Sequence, residues 1–229
     1  MRKVFCLCLC LLLLLCMPGC SGTKGPYSIL PMEPVDGEVD AGIIDRFLTD
    51  NADYSFYGEL KKNTPELYSE LIDITPKEIK DRCSIYKFTY GRCGGLIGCA
   101  FLVYDNEVYP LGTAFGGWGV TEFAYINQNG QNMLYYIYSW GSGVHRSHIG
   151  VFNFDTKEQM DTGSLYDIFE DEDIAFCLSW DKQTLGICKA RIEWKNWDTE
   201  SLLEIKITKE KSMYADIRAF KFAAVETGK

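Results

Sequence analysis

Residues 120–140 read VTEFAYINQNGQNMLYYIYSW, two runs rich in aromatic and β-branched residues that meet at Asn129-Gly130. Such side chains fit the pleated surface of a strand, and Asn and Gly tolerate the positive φ of a two-residue hairpin turn. The stretch therefore predicts two antiparallel neighbours. The second run carries more information. Met133, Leu134, Tyr135, Tyr136, Ile137, Tyr138 and Trp140 are apolar or aromatic at both odd and even positions. Successive strand side chains point to opposite faces, so this strand is either central and covered on both sides or rimmed by a binding surface.

Working outward, similar runs occupy 84–90, 96–104, 107–112, 147–155, 174–180, 184–195, 202–208 and 216–225, each closed by a turn signal. Asp105-Asn106 suits a second tight hairpin. Strand 184–195 alternates, with Cys188, Ala190, Ile192 and Trp194 on one face and Lys189, Arg191 and Glu193 on the other; one wet face is expected. Consecutive short hairpins give an antiparallel meander, not a parallel α/β sheet. The fold class expected is mainly β (α+β), a β-sandwich or flattened barrel with two or three short N-terminal helices packed on it.

Those helices come from the region before Ser84. Ile43, Ile44, Phe47 and Leu48 form one apolar stripe at helical spacing over Ala41–Asn51. Thr64-Pro65 reads as the start of a second helix running through Leu71 and Ile72. Thr75-Pro76-Lys77-Glu78 repeats that signal and adds a capping-box acid.

The chain opens with Arg2 and Lys3, followed by an uncharged run from Val4 to Met17. A basic start and a short apolar run is the layout of a secretory signal, and the run is shorter than the roughly 20 residues a membrane helix needs. It ends at Met17-Pro18-Gly19-Cys20. This resembles the lipobox of bacterial lipoproteins, although Met17 stands where the family usually has Leu and Pro18 where Ala or Ser is commoner. The resemblance covers the first 20 residues only. It implies removal of residues 1–19, lipid on Cys20, and residence in the cell envelope, membrane-anchored and facing outside the cytoplasm. Two or three acyl chains anchor stably where one does not. The competing reading, an ordinary cleaved signal, expects a small-residue A-x-A site that is absent. Residues 20–40, rich in Gly and Pro and closing on acids, read as a lipidated N-terminus and flexible tether. Residues 41–229 remain for a single β-rich domain with a helical N-terminal part.

The composition, 47% hydrophobic and 14% aromatic, is enough to fill a core. Loss of Arg2 and Lys3 takes the basic residues from 23 to 21 against 32 acids, a net charge of −11. That charge repels nucleic acid and excludes it as a partner. The partners expected are the membrane, through the lipid on Cys20, and a protein or small-molecule ligand whose identity the sequence does not give.

Five cysteines lie beyond the signal: Cys83, Cys93, Cys99, Cys177 and Cys188. IAFCLSWDKQTLGICKARI (174–192) reads as a hairpin turning near Lys182-Gln183, which sets Cys177 opposite Cys188. Cross-strand neighbours lie about 4.5–5.5 Å apart at Cα, within reach of a bridge. A disulfide and a pair of reduced core thiols both fit that placement. No paired CxxC spacing exists, so no metal site is expected.

Motifs for chemistry fail on spacing. GTAFGGWG (112–119) lacks the Lys-Ser/Thr ending of a phosphate loop and has Glu122 where a dinucleotide fingerprint needs glycine. The acids 170–173 are contiguous, whereas calcium loops alternate their ligands around a glycine. Trp140-Gly141-Ser142-Gly143 misses the first glycine of a nucleophile elbow. No cofactor is expected. One loop remains, SWGSGVHRSH (139–148), which holds both histidines of the chain. Trp140 offers a stacking face, Arg146 meets an anion, and Ser142, His145 and His148 are the candidates for polar recognition or acid–base work. The competing reading is a hairpin whose polar side chains meet water. Two functions follow. One is a non-enzymatic binding or interaction module; the other is an envelope hydrolase built around His145 and His148, which needs a histidine within hydrogen-bond reach of Ser142, Ser147 or a carboxylate.

Overall fold

A computed structural model describes residues 27–30, 41–50, 72–89, 98–114, 122–128, 130–140, 146–169, 175–195 and 204–225. The strands are β1 (Tyr27–Leu30), β2 (Ile72–Asp73), β3 (Ser84–Thr89), β4 (Gly98–Tyr104), β5 (Glu107–Ala114), β6 (Glu122–Gln128) and β7 (Gln131–Trp140). They continue as β8 (Arg146–Asn153), β9 (Glu158–Asp161), β10 (Ala175–Asp181), β11 (Thr184–Lys195), β12 (Glu204–Lys209), β13 (Ala215–Asp216) and β14 (Ala223–Ala224). Among the described residues two α-helices, α1 (Ala41–Asp50) and α2 (Leu165–Phe169), join them. Among the described residues no helix is long and apolar enough to cross a membrane.

The protein is mainly β, in three antiparallel sheets. The central sheet runs β1-β6-β7-β8-β9-β14, and the outer sheets run β2-β3-β4-β5 and β10-β11-β12, with β13 on β11. Parity along β7 explains the layering. Leu134 and Tyr136 pack with Phe123 and Phe152 of the central sheet and Ile85, Leu102 and Leu111 of the first outer sheet. Ile137 packs with Ala124, Ile126 and Ile149 and, from the second outer sheet, Phe176, Leu178, Leu185 and Ile187. β7 is therefore covered on both faces, the first of the two placements that its unbroken apolar run allows. The sandwich is doubled, with the central sheet shared between two partners. Each fully buried Leu, Ile or Phe contributes about 1.5–3 kcal/mol, and the two cores together outweigh any single polar contact described below.

The tight turns follow their residues. Tyr104 pairs with Glu107, leaving Asp105 and Asn106 as a two-residue loop with φ of 53° and 61°, the double positive φ of a type I′ turn. Gln128 pairs with Gln131 around Gly130 at φ 77°; Asn129 lies outside the described residues. α1 lays its predicted stripe on the outer face of β3 and β4, Ile44 and Leu48 packing with Tyr86 and Phe101.

Several expectations are corrected. Residues 27–30, read as tether, pair with β6, Tyr27 opposite Ile126, so the domain begins before residue 41. Residues 216–225 are not one strand but a two-residue strand, a 3₁₀ turn at Ile217–Ala219 and a second short strand. Thr75 caps no α-helix: a one-turn 3₁₀ helix (Lys77–Ile79) follows, and Thr75 Oγ1 instead accepts the Ile85 N–H at 2.7 Å while its hydroxyl donates to Asp73. The helix read from Thr64 lies outside the described residues up to 71, and Ile72, placed in it, is a strand residue. The expected wet face of β11 is wet only in part. Leu185 and Ile187 share the face of Lys189 and Arg191, and they are core residues. Lys189 escapes burial of its charge by lying over the Tyr214 ring at 4.5 Å.

Candidate functional site

β7 and β8 bring the candidate residues together by register: Trp140 opposite Arg146, Ser139 opposite Ser147, Tyr138 opposite His148. Residues 141–145, and with them Ser142 and His145, lie outside the described residues, as do the side chains of Trp140 and Arg146. His148 and Ser147 can be placed in full. They are neighbours in the chain and so point to opposite faces of the central sheet.

His148 is 8% exposed and lies on the face toward the first outer sheet. Its imidazole stacks on the Tyr138 ring, centroids 5.1 Å apart and 16° from parallel. Its Nδ1 meets Asp161 Oδ1 at 3.3 Å. The Tyr138 hydroxyl donates to the other oxygen of the same carboxylate at 2.6 Å, and the Gly163 N–H donates to Oδ1 at 2.6 Å. Asp161 thus sits at the centre of three groups. Beneath the stack, Gly112 (φ +82°) rests against the other element of the site. A Cβ there would come within 2.6 Å of a Tyr138 ring carbon, so only glycine suits both the left-handed backbone and the close approach.

Ser147 faces the second outer sheet, and its Oγ accepts the Phe176 N–H at 3.3 Å. Glu122, on the same face, accepts the Leu178 N–H at 2.6 Å and contacts the Lys209 ammonium. These two side chains satisfy N–H groups along the edge of β10 that its partner β11 does not reach, and so cover an otherwise open strand edge. The serine next to the described histidine has a structural occupation and lies away from the imidazole.

Two further features escaped sequence reasoning. Lys87 of β3 is 8% exposed, alternating with Tyr86 and therefore on the core face of Ile85, opposite the fully buried Ala100. Burial lowers its pKa from 10.5 to about 8. The second is a cleft of about 180 Å³ between the central sheet and the β10–β11 hairpin. Met133, Tyr135, Leu185 and Ile217 supply apolar walls, and Gln131, Thr184 and Arg218 supply polar groups. Arg218 forks onto Asp216 through Nη2–Oδ2 at 2.5 Å and Nε–Oδ1 at 3.0 Å.

Among the described residues no three His, Cys, Asp or Glu side chains converge as metal ligands would. The acids 170–173 and residues 115–119 of the glycine-rich segment lie outside the described residues. No known protein family, curated protein or solved structure matches this chain.

Proposed function

We propose that this chain is a lipid-anchored protein of the cell envelope, held by lipid on Cys20, whose β domain works as a non-enzymatic binding or interaction module. The lipobox resemblance of Met17 to Cys20 supports the anchor. The observation that carries the binding half is the occupation of His148. A general base needs a ring nitrogen directed at a substrate and a nucleophile within reach. Here the ring is packed against Tyr138, Nδ1 is turned to Asp161, and the adjacent serine hydroxyl lies on the other face of the sheet. The cleft beside Met133, Tyr135 and Arg218 offers an alternative surface, with apolar walls and a few polar groups, among them the paired Asp216 and Arg218. That is the make-up of a recognition site more than of a reactive one.

A hydrolase reading keeps one specific support. Asp161 on His148 Nδ1 is the arrangement that orients a catalytic imidazole. The two readings separate in a panel of ester, amide and glycoside substrates offered to the full chain in detergent. The binding reading expects no turnover that disappears in His148→Asn. It also expects Tyr135→Ala and Arg218→Ala to weaken retention of a purified envelope ligand while leaving the fold intact. Turnover that His148→Asn abolishes would overturn it.

A further inference from the structure

We infer that Cys177 and Cys188 are joined by a disulfide in the exported protein, and that the bond forms before the β10–β11 hairpin is buried.

The two cysteines are directly opposed in the β10–β11 register, the fifth pair from the two-residue turn at Lys182-Gln183 that fixes it. Asp181 pairs with Thr184 immediately beside that turn, so the strands have no slack with which to slip. Directly opposed residues place their side chains on the same face, and their Cα atoms lie about 4.5–5.5 Å apart, within the span a disulfide needs. That face is built from small residues. Ala175, Cys177, Cys188 and Ala190 form their own buried cluster, separate from the two large cores. In the structure the two sulfurs are unbonded thiols, as is that of Cys83, which belongs to the core on the far side of the central sheet. No competing partner for this pair stands beside it among the described residues.

The order of events follows from burial. Cys177 and Cys188 are 3% and 2% exposed. Desolvation pushes the Cys177 thiol up to about 12 and raises that of Cys188 as well. Disulfide exchange needs a thiolate and room for the incoming sulfur. The folded hairpin supplies neither; the unfolded or nascent one supplies both. A dithiol–disulfide oxidant of the envelope provides the electron sink. One cysteine thiolate attacks the donor disulfide, forming a mixed disulfide and releasing one donor thiolate. The second cysteine then attacks the mixed disulfide, closing the bridge and releasing the second donor thiolate. Two cysteine thiols become one disulfide, one donor disulfide becomes two thiols, and the protons pass from the former to the latter. The bridge lies behind the hairpin tip, so it steadies Thr184 and Leu185, which line the cleft.

This inference rests on export, part of the function proposed above, and the experiment keeps the two apart. The full chain is isolated from the membranes of an expressing bacterium and denatured without reductant in the presence of an alkylating agent. Peptide mass mapping is expected to find the Cys177 and Cys188 peptides linked, lighter by two hydrogens than the two thiols. In parallel, reduced and denatured full chain is refolded in a glutathione redox buffer, and the same chain is folded while reduced and only then given that buffer. The pair is expected to form on refolding and to form on the order of tenfold more slowly in the prefolded chain. The bridged chain should melt roughly 5–10 °C above the reduced one, a difference that Cys177→Ala/Cys188→Ala abolishes. A bridge that forms on refolding but not in cells upholds the pairing and overturns export. Free thiols at both positions in both preparations, or a link to Cys83, Cys93 or Cys99, overturns the pairing. Equal oxidation rates in the folded and unfolded chain overturn the order of events.

Discussion

Tyr138 and His148 face each other across the β7–β8 ladder with their rings 16° from parallel, and both reach the carboxylate of Asp161. The stack and the shared acceptor make the three residues one unit that ties β7 and β8 to β9.

Removing the phenol oxygen separates the two contributions. Tyr138→Phe keeps the stacked ring and loses the 2.6 Å hydrogen bond to Asp161. Hydrogen bonds to charged groups are worth about 1.5–3 kcal/mol, so the variant is expected to unfold at lower urea by that amount, with an unchanged m-value. A loss below about 0.5 kcal/mol would show that solvent replaces the phenol freely.

Gly150 carries a steric prediction. It pairs with Tyr136, and a Cβ at Gly150 would lie 2.1 Å from the Tyr136 ring. Tyr136 is 2% exposed and packed in the first core. Gly150→Ala is expected to destabilise by about 1–3 kcal/mol or more. Tyr136→Leu opens the space, so the double variant should lose less than the sum of the singles, which a double-mutant cycle in urea measures.

Lys87 predicts a pH dependence whose sign can be worked out. Its pKa is about 8 in the fold against the ordinary lysine value of 10.5, so the folded state binds this proton more weakly. Below about pH 8 the ammonium is protonated in both states and the fold carries the full desolvation penalty. As pH rises from about 8 to 10.5 the penalty fades, and stability contributed by this residue rises. Lys87→Met is therefore expected to stabilise by about 1–3 kcal/mol at pH 7, and the difference from the parent should shrink by pH 10. Urea midpoints of both proteins at the two pH values check this; a constant difference would contradict it.

Much of this architecture could be read from local pattern, because local pattern was where the information lay. The apolar run of β7 at both parities narrowed that strand to burial on both faces or a binding rim, and the short turn at Lys182-Gln183 was enough to count Cys177 to Cys188. Asp105-Asn106 named its own turn. What failed was decided by distant partners. Tyr27–Leu30 becomes a strand because β6 offers an edge, which its Pro- and Gly-flanked surroundings do not reveal. Lys189 and Arg191 marked one face of β11 as wet, yet Leu185 and Ile187 on that face meet the central sheet. The site was legible by half. His148 stood out as one of two histidines, but Asp161 sits in β9, whose residues EQMD carry no strand signal. Nothing in the sequence places that strand beside β8. Ser147 was one of the groups the hydrolase reading needed within reach of a histidine, and the period of a strand puts it on the face opposite His148.

Lipid on Cys20 is the proposed tether of this β domain, and the mass of the mature N-terminus reads it out. The full chain, expressed in a bacterium with lipoprotein processing, is extracted in detergent, and its N-terminal peptide is analysed by mass spectrometry. The expected product is a chain that begins at Cys20 and carries a diacylglyceryl group there, with Cys20→Ala blocking both the lipid and the cleavage before residue 20. A mature chain that begins at any other residue, or that begins at Cys20 with an unmodified thiol, would contradict it.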